Sequence, residues 1–199
     1  MRDPRVMVAV PRERRAAMTA LWGLAARLTK LLIDAREPLI GQIKLAWWRD
    51  MAGMIAADPG GLPKGEPLLA ELAATWEGQG GLDALVDAAE AMLLAETADD
   101  RRAASESFGM RLFALSGGDA GGGRRWGWLW GAGVEKDDPV ARRLLADAKA
   151  CDAPRRDVFS GNRALLMLDR WAGAIAQSDG ERRWRGEGWL LFRLGLIGR

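Results

Sequence analysis

Apolar residues recur at spacings of three and four along most of this chain, which is the spacing of one face of an α-helix. Ala, Leu, Met, Arg and Glu are abundant, whereas runs rich in Val, Ile and Thr, which favour strands, are almost absent. The two clearest stripes are Met18, Leu21, Ala25, Leu28 and Leu32 over residues 16–34, and Ile40, Ile43, Trp47, Met51 and Met54 over residues 38–57. The pattern predicts an all-α fold, and 199 residues with 49% apolar composition suit a single-domain helical bundle with a sizeable core.

Proline, glycine and acidic residues divide the rest of the chain into further predicted helices. These cover residues 67–76, 82–96, 138–151 and 154–177, and a further helix, capped by Asp99 or Asp100, runs to Leu115. The glycines of residues 117–123 predict a flexible connection between helices. The alternating tryptophans at 126, 128 and 130 leave a strand and a short helix both open for residues 124–133.

The residue types that this chain lacks exclude several kinds of chemistry. It has no histidine, no tyrosine and a single cysteine, Cys151, which excludes Ser-His-Asp and Cys-His catalysis, His-containing metal sites, internal disulfides and thiolate zinc sites. A net charge of +2 argues against a nucleic-acid partner. The apolar run of residues 6–10 is short for an export signal, and no stretch approaches the roughly 20 apolar residues of a membrane-spanning helix. We therefore expect a cytoplasmic protein.

The most specific motif lies in residues 36–50, which read REPLIGQIKLAWWRD. This segment resembles the REP-(I/L)-G-x-I-(R/K)-L-x-W-W-R-(D/E) signature of a bacterial branch of the squalene/phytoene synthase family, a branch related to a mitochondrial complex I assembly factor. The resemblance covers residues 20–50, and Gly127-Trp128 and residues 154–171 are weaker echoes of the family. It implies a bundle of the isoprenoid-synthase type around a central cavity.

Active members of that family condense two prenyl diphosphates head to head and hold them through magnesium bound by two aspartate-rich motifs. The first motif, DDxxD, falls here on residues 30–34, KLLID, in which Asp34 is the only carboxylate. Lys30 stands where a magnesium ligand is needed, and a protonated lysine repels the ion. For the second motif, Asp119 stands alone among glycines, and the acidic pairs at 99–100 and 137–138 suit helix starts. We expect no metal site and no cofactor, with magnesium required only if the chain is an enzyme with atypical ligands.

The candidate substrate-binding residues are Arg27, Asp34, Lys44, Trp47 and Trp48. Helical geometry places Arg27, Lys30 and Asp34 opposite the apolar stripe, where Lys30 and Asp34 form either a solvated ion pair or the remnant of a diphosphate site. Lys44 falls within the second apolar stripe. We expect its ammonium to be at least partly buried near a carboxylate or a cavity, and the alternative is that it snorkels along Trp48.

The tail, residues 181–199, carries five arginines against two acids, together with tryptophans and leucines. Basic residues beside apolar ones suit an anionic membrane surface or a protein groove, and the alternative is a last helix packed on the bundle. We expect weak, salt-sensitive binding to anionic vesicles that is lost when residues 181–199 are deleted.

These patterns favour a catalytically degenerate member of the squalene/phytoene synthase family. Its expected role is to bind a prenyl or lipid-like ligand, or to assemble a protein complex, at the inner face of a membrane. The alternative is an active prenyltransferase for head-to-head condensation with atypical metal ligands, which four or more carboxylates in two facing clusters would favour. A purely structural helical protein without a cavity is the third hypothesis.

Overall fold

Helices make up the regular structure of the computed structural model, which describes residues 4–159 and 161–197. The described residues contain no strand and form one helical domain, so the all-α prediction is confirmed. The α-helices are α1 (Pro4–Val8), α2 (Arg15–Asp34), α3 (Pro38–Ala57), α4 (Pro67–Trp76), α5 (Leu82–Leu94), α6 (Ala98–Leu115), α7 (Arg124–Val134), α8 (Asp138–Ala150), α9 (Arg163–Gln177) and α10 (Trp184–Ile197). Short 3-10 turns lie at Arg12–Arg14, Pro59–Gly61, Ala120–Gly123 and Arg156–Phe159.

The local sequence explains where the helices start. Pro38 and Pro67 occupy the first turns of α3 and α4, where a fixed φ favours a helix and the missing N–H costs nothing, and both helices have the predicted bounds. The predicted cap of α6 is wrong by two or three residues, because Thr97 is the cap. Its hydroxyl accepts a hydrogen bond from the Asp100 N–H at 3.1 Å, and the Asp100 carboxylate accepts one from the Thr97 N–H at 3.0 Å.

The helix predicted over residues 154–177 is shorter in the structure. The segment begins with the turn Arg156–Phe159, and α9 starts at Arg163. Gly161 separates the two with a φ of 78°, a left-handed conformation that interrupts a helix. Ser160, which the same prediction included, lies outside the described residues.

The connection predicted over residues 117–123 packs against α6 where it leads into α7. A Cβ on Gly123 would lie 2.2 Å from the carbonyl oxygen of Gly109 in α6. A Cβ on Gly109 would in turn lie 2.6 Å from the Cα of Gly127 in α7. The glycines therefore let the backbones of α6 and α7 approach closely, which any side chain at these positions would prevent.

The three tryptophans of α7 lie on a helix, not a strand. Trp126 and Trp130, one turn apart, both stack on Phe108, and the ring centroids of Phe108 and Trp130 are 3.9 Å apart. Trp128 points to the other side of α7, where the guanidinium of Arg102 lies 4.5 Å from its ring centroid. Alternation in the sequence thus reflects two different packing faces of one short helix.

The core is built around α2, whose predicted stripe is confirmed: all five of its members are buried. Residues Arg12–Asp34 also have the length and hydropathy of a membrane-spanning helix, contrary to the expectation that no segment would. Leu21, Leu24 and Leu28 are fully enclosed by the other helices. Burial in the fold thus accounts for the apolar composition of this segment.

A buried ion pair joins α7 to α9. Arg125 donates to the Asp169 carboxylate through Nε at 3.0 Å and through Nη2 at 2.5 Å, and Arg170 donates to the same carboxylate at 2.7 Å. Burial raises the pKa of the Asp169 carboxyl, and the charges of the two guanidinium groups oppose that rise. Gly173 makes room for the pair, because a Cβ there would lie 2.9 Å from Nη1 of Arg125.

Candidate functional site

The five candidate substrate-binding residues fall into two groups on α2 and α3. Arg27 contacts Glu66, the cap of α4, and Trp48, and Trp47 lies against Trp48 on a more exposed side of α3. Asp34 and Lys44 border a shallow pocket of about 260 Å³ at the α2–α3 connection. The arrangement does not bring all five around one cavity.

Arg27 is engaged in a structural contact. Its guanidinium donates two hydrogen bonds to the carboxylate of Glu66, at 3.1 and 3.3 Å, and lies 5.9 Å from the ring centroid of Trp48. Trp48 is buried, and Trp47 meets it edge-on with 5.0 Å between ring centroids. These contacts fix the crossing of α2, α3 and α4.

Asp34 and Lys30 form the expected ion pair on an exposed face of α2. The Lys30 ammonium lies 2.6 Å from the Asp34 carboxylate, and its hydrogen bond lowers the pKa of that carboxyl. Lys44 borders the pocket that Asp34 also lines, in agreement with the expectation of a nearby carboxylate or cavity, but the residue is exposed and does not lie on the buried side of α3. The reason is that its apolar neighbours on α3, Ile40 and Ile43, are themselves exposed.

The core-facing stripe predicted for α3 is wrong over its first half. Leu45, Trp48, Ala52 and Ile55 face the core, whereas Ile40 and Ile43 face solvent. The exposed apolar residues form what we call the outer face of α3: Leu39 (66% exposed), Ile40 (47%), Ile43 (62%) and Trp47 (38%). This helix is apolar on two opposite sides, and the sequence pattern alone cannot say which side is buried.

Acidic residues do not assemble into a metal site in the part of the chain that the structure describes, where no group of three or more potential ligands occurs. The pair at 99–100 acts at the start of α6, where Asp99 also binds Arg143 at 2.8 Å. Asp137 caps α8 by accepting from the Val140 N–H at 3.3 Å. The acids thus contribute to helix ends, as predicted.

A pocket lined by indole rings lies between α2, α7 and α9, and the sequence pattern did not predict it. Its volume is about 360 Å³, and its lining includes Trp126, Trp130, Trp171 and the guanidinium of Arg182. The Trp130 indole donates to the Thr29 hydroxyl at 2.9 Å. These tryptophans converge from segments that are distant in the sequence, and such convergence has no local signature.

A buried carboxylate, that of Glu187, is bonded to two of the residues that line this pocket. Glu187 accepts hydrogen bonds from the Trp171 indole at 2.7 Å, from Nε of Arg182 at 2.8 Å and from the Arg183 N–H at 2.7 Å. The Arg182 guanidinium also stacks over Trp184, 4.0 Å from its ring centroid. This network fixes the start of α10 against α9.

The tail forms a helix that packs on the bundle, as the second predicted alternative has it, and the other side of this helix is apolar and exposed. Leu191 and Leu194 of α10 are buried in the core. Trp189 and Phe192, whose ring centroids are 5.9 Å apart, are 67% and 55% exposed. Together with Leu196 and with Val8 of the adjacent α1, they form what we call the C-terminal surface. Gly198 and Arg199, which belong to the predicted tail, lie outside the described residues.

A groove of about 540 Å³ runs along the C-terminal surface between α1 and α10. Its walls are mainly apolar, and Arg5 and Arg163 lie at its edges. Nη1 of Arg163 donates to the carbonyl oxygen of Gly195 at 2.8 Å, which holds it against α10. The groove therefore combines apolar walls with positive charge.

Comparison with protein-family models, with curated proteins and with solved structures found no match to this chain. The resemblance of residues 36–50 to the squalene/phytoene synthase family therefore stays a prediction.

Proposed function

We propose that this protein is a non-catalytic binding protein that attaches to an anionic membrane surface through its C-terminal surface. The observation that carries the proposal is the exposure of Trp189, Phe192 and Leu196 on a helix whose other side is firmly docked. Contiguous exposed apolar side chains mark interaction sites, because their contact with water is unfavourable. Aromatic side chains are well suited to the boundary between lipid headgroups and acyl chains.

The charges around the C-terminal surface favour an anionic partner. Arg185 lies within about 20° of Phe192 around α10, and Arg193 follows Phe192 directly. Both are exposed. The acidic Glu187 is buried and bound to Arg182, so it adds no negative charge to the outer side of the helix. Each basic residue near an anionic membrane contributes about 1 kcal/mol before salt screening.

The groove between α1 and α10 supports a lipid-like ligand. Its volume of about 540 Å³ is within the range of ligand pockets, roughly 300–1,000 Å³, and its apolar walls suit part of an acyl or prenyl chain. Arg163 at its edge is placed to face a lipid phosphate. The protein would then hold the membrane both through inserted aromatic rings and through a single lipid chain.

We further propose that the bundle is of the isoprenoid-synthase type and has lost the magnesium chemistry. The support is the resemblance of residues 36–50, together with Lys30, which occupies a ligand position of the first motif and neutralises Asp34 at 2.6 Å. Incubation with magnesium and farnesyl or geranylgeranyl diphosphate should give no squalene or phytoene. Product above a no-protein control would support the active prenyltransferase instead. A role in assembling a protein complex rests on the resemblance alone.

Vesicle co-sedimentation tests the membrane proposal. The protein should bind vesicles of phosphatidylcholine with phosphatidylglycerol more strongly than vesicles of phosphatidylcholine alone, and added salt should weaken binding. The double variant Arg185→Gln/Arg193→Gln should lower binding to anionic vesicles by roughly tenfold or more and leave binding to neutral ones unchanged. Deletion of residues 181–199 is a poor test, because it also removes Leu191 and Leu194 from the core.

The matched control lies on α3. Trp189→Ser/Phe192→Ser should reduce vesicle binding, whereas Leu39→Ser/Ile43→Ser removes similarly exposed apolar residues at another surface and should not. Equal binding to neutral and anionic vesicles, or equal effects of the two double variants, would contradict the proposal.

A further inference from the structure

The indole-lined pocket between α2, α7 and α9 has the size of a small-molecule site. Its volume of about 360 Å³ lies within the range of ligand pockets, roughly 300–1,000 Å³. An apolar cavity of about 150 Å³ holds a benzene ring, so this pocket has room for two fused rings and a small polar group. The pocket shares no lining residue with the groove of the C-terminal surface, so the argument is independent of the proposed membrane function.

Indole rings in fixed positions form flat walls in this pocket. Trp126 and Trp130 both stack on Phe108, and the Trp130 N–H donates to the Thr29 hydroxyl at 2.9 Å. The rings are therefore held in place before a ligand arrives, which lowers the cost of ordering them on binding. Such walls favour a flat ring system, because stacked aromatic rings gain more than their buried area alone provides.

The polar groups that remain free in the lining are hydrogen-bond donors. The Thr29 hydroxyl already accepts from Trp130, and it donates to the carbonyl oxygen of Ala25 at 2.7 Å. Within the described residues, the Trp126 N–H and the two terminal nitrogens of Arg182 form no hydrogen bond. No carboxylate is among the described residues that line the pocket. A ligand that fits must therefore bring hydrogen-bond acceptors.

Arg182 is positioned to bind a carboxylate. Its Nε donates to Glu187 at 2.8 Å, and its guanidinium lies 4.9 Å from the ring centroid of Trp171 and 4.0 Å from that of Trp184. These contacts fix the side chain and leave its paired terminal nitrogens, whose spacing matches the two oxygens of a carboxylate. The Glu187 carboxylate is also bonded to two N–H groups, which reduces its repulsion of a second carboxylate. A guanidinium beside the Trp171 ring disfavours an organic cation, since like charges repel.

We propose that the indole-lined pocket binds a small aromatic carboxylate. Its rings lie against the indoles of Trp126, Trp130 and Trp171, and its carboxylate binds the terminal nitrogens of Arg182. An aliphatic chain would fill the same volume without the gain from ring stacking. A neutral aromatic ligand would displace water from Arg182 without giving its nitrogens a charged acceptor.

NMR titration with 2-naphthoate tests the site, because each of the ten tryptophans provides one indole N–H signal. The signals of Trp126, Trp130 and Trp171 should shift, with a Kd of about 1 mM or tighter. Those of Trp22 in the core and Trp189 on the C-terminal surface should not. The neutral analogue 2-naphthalenemethanol and the ring-free decanoate should each bind roughly tenfold or more weakly. Equal affinity for the three probes, or shifts at Trp189 alone, would overturn the proposal.

Substitution of Arg182 tests the carboxylate contact. Arg182→Gln should abolish the preference for 2-naphthoate over 2-naphthalenemethanol, and Arg182→Lys should retain part of it, because an ammonium keeps the charge but not the paired nitrogens. The alcohol does not require Arg182, so its unchanged affinity shows that the pocket is still formed. A preference that survives Arg182→Gln would contradict the proposed contact.

A side chain added at Gly133 tests the position of the ligand without disturbing Arg182. Gly133 is exposed and lines the pocket, and a Cβ there would meet nothing within 4 Å. Gly133→Leu should weaken 2-naphthoate binding roughly tenfold by occupying the pocket. The matched control is Gly53→Leu, at an equally open and exposed position of α3, and it should leave binding unchanged. Equal effects of the two leucines would place the ligand elsewhere and overturn the proposal.

Discussion

The outer face of α3 and the C-terminal surface are both apolar and exposed, but the charges around them differ. Arg185 and Arg193 accompany the aromatic rings of α10, and the nearby acid Glu187 is buried. On α3, the exposed acid Asp50 lies within about 20° of Ile43 around the helix and so belongs to the outer face itself. The C-terminal surface is therefore complementary to a uniformly negative surface, whereas the acid on the outer face of α3 would repel one, so the charges distinguish two surfaces that the apolar residues alone would not.

The largest expected effect concerns the buried ion pair between α7 and α9, in the core and away from both surfaces. Asp169→Asn removes the charge that compensates Arg125, whose side chain is buried between α7 and α9. Removing one partner of a buried ion pair costs about 3–5 kcal/mol, so the free energy of unfolding should fall by that amount. Urea denaturation measures it. A loss close to zero would mean that Arg125 finds water or another acid.

The next largest expected effect is the difference in unfolding free energy between substitutions on the buried side and on the exposed side of α3. Leu45→Ala removes a fully buried side chain and should cost about 2–5 kcal/mol of unfolding free energy. Ile43→Ala, two residues earlier, should change that free energy by about 0.5 kcal/mol or less. Similar losses for the two variants in urea denaturation would mean that the outer face is packed in solution.

A smaller expected effect is the salt dependence of vesicle binding, which should come from the C-terminal surface and not from the outer face of α3. Vesicle binding through the C-terminal surface depends on several arginines and should weaken steeply as the Debye length falls from about 10 Å at 0.1 M to about 3 Å at 1 M. Leu39→Ser/Ile43→Ser on the outer face of α3 alters no charge and should leave this salt dependence unchanged. Vesicle binding that is insensitive to salt would indicate that apolar insertion alone drives it.

The sequence predicted the first and last residues of α3 correctly, but it did not predict which side of the helix is buried. Pro38 and the break at residues 58–63 fixed both ends of the helix. The predicted buried side was wrong over the first half of α3, because Leu45 and Ile43 are similarly apolar and only tertiary packing decides which of them is buried. The same reasoning placed Lys44 inside, since its position depended on the wrong face.

The indole-lined pocket and the packed glycines could not be predicted for a different reason. Gly109 and Gly123 meet across two helices, and Trp130 and Trp171 come from segments that periodicity treats separately. Local patterns describe one helix at a time, whereas both features exist only between helices. By contrast, the Lys30–Asp34 pair lies within one helix, and the sequence placed it correctly.

The smallest expected effect concerns that same exposed pair, at the edge of the α3 region. The hydrogen bond from Lys30 lowers the pKa of Asp34, so its small contribution to stability is present at neutral pH and is lost as the pH falls through that lowered pKa. Lys30→Met should move the titration of Asp34 upward toward its ordinary value, as followed by NMR of the carboxyl carbon. An unchanged titration would mean that the pair is not formed in solution.

The separation of the two surfaces is tested most directly by a fluorophore that reports the polarity of its surroundings. In a Cys151→Ser background, Phe192→Cys and Ile43→Cys each provide one labelling site, on the C-terminal surface and on the outer face of α3. Anionic vesicles should shift the emission to shorter wavelength at position 192 and leave it unchanged at position 43. A shift at position 43 with none at position 192 would contradict the assignment of the membrane contact to the C-terminal surface.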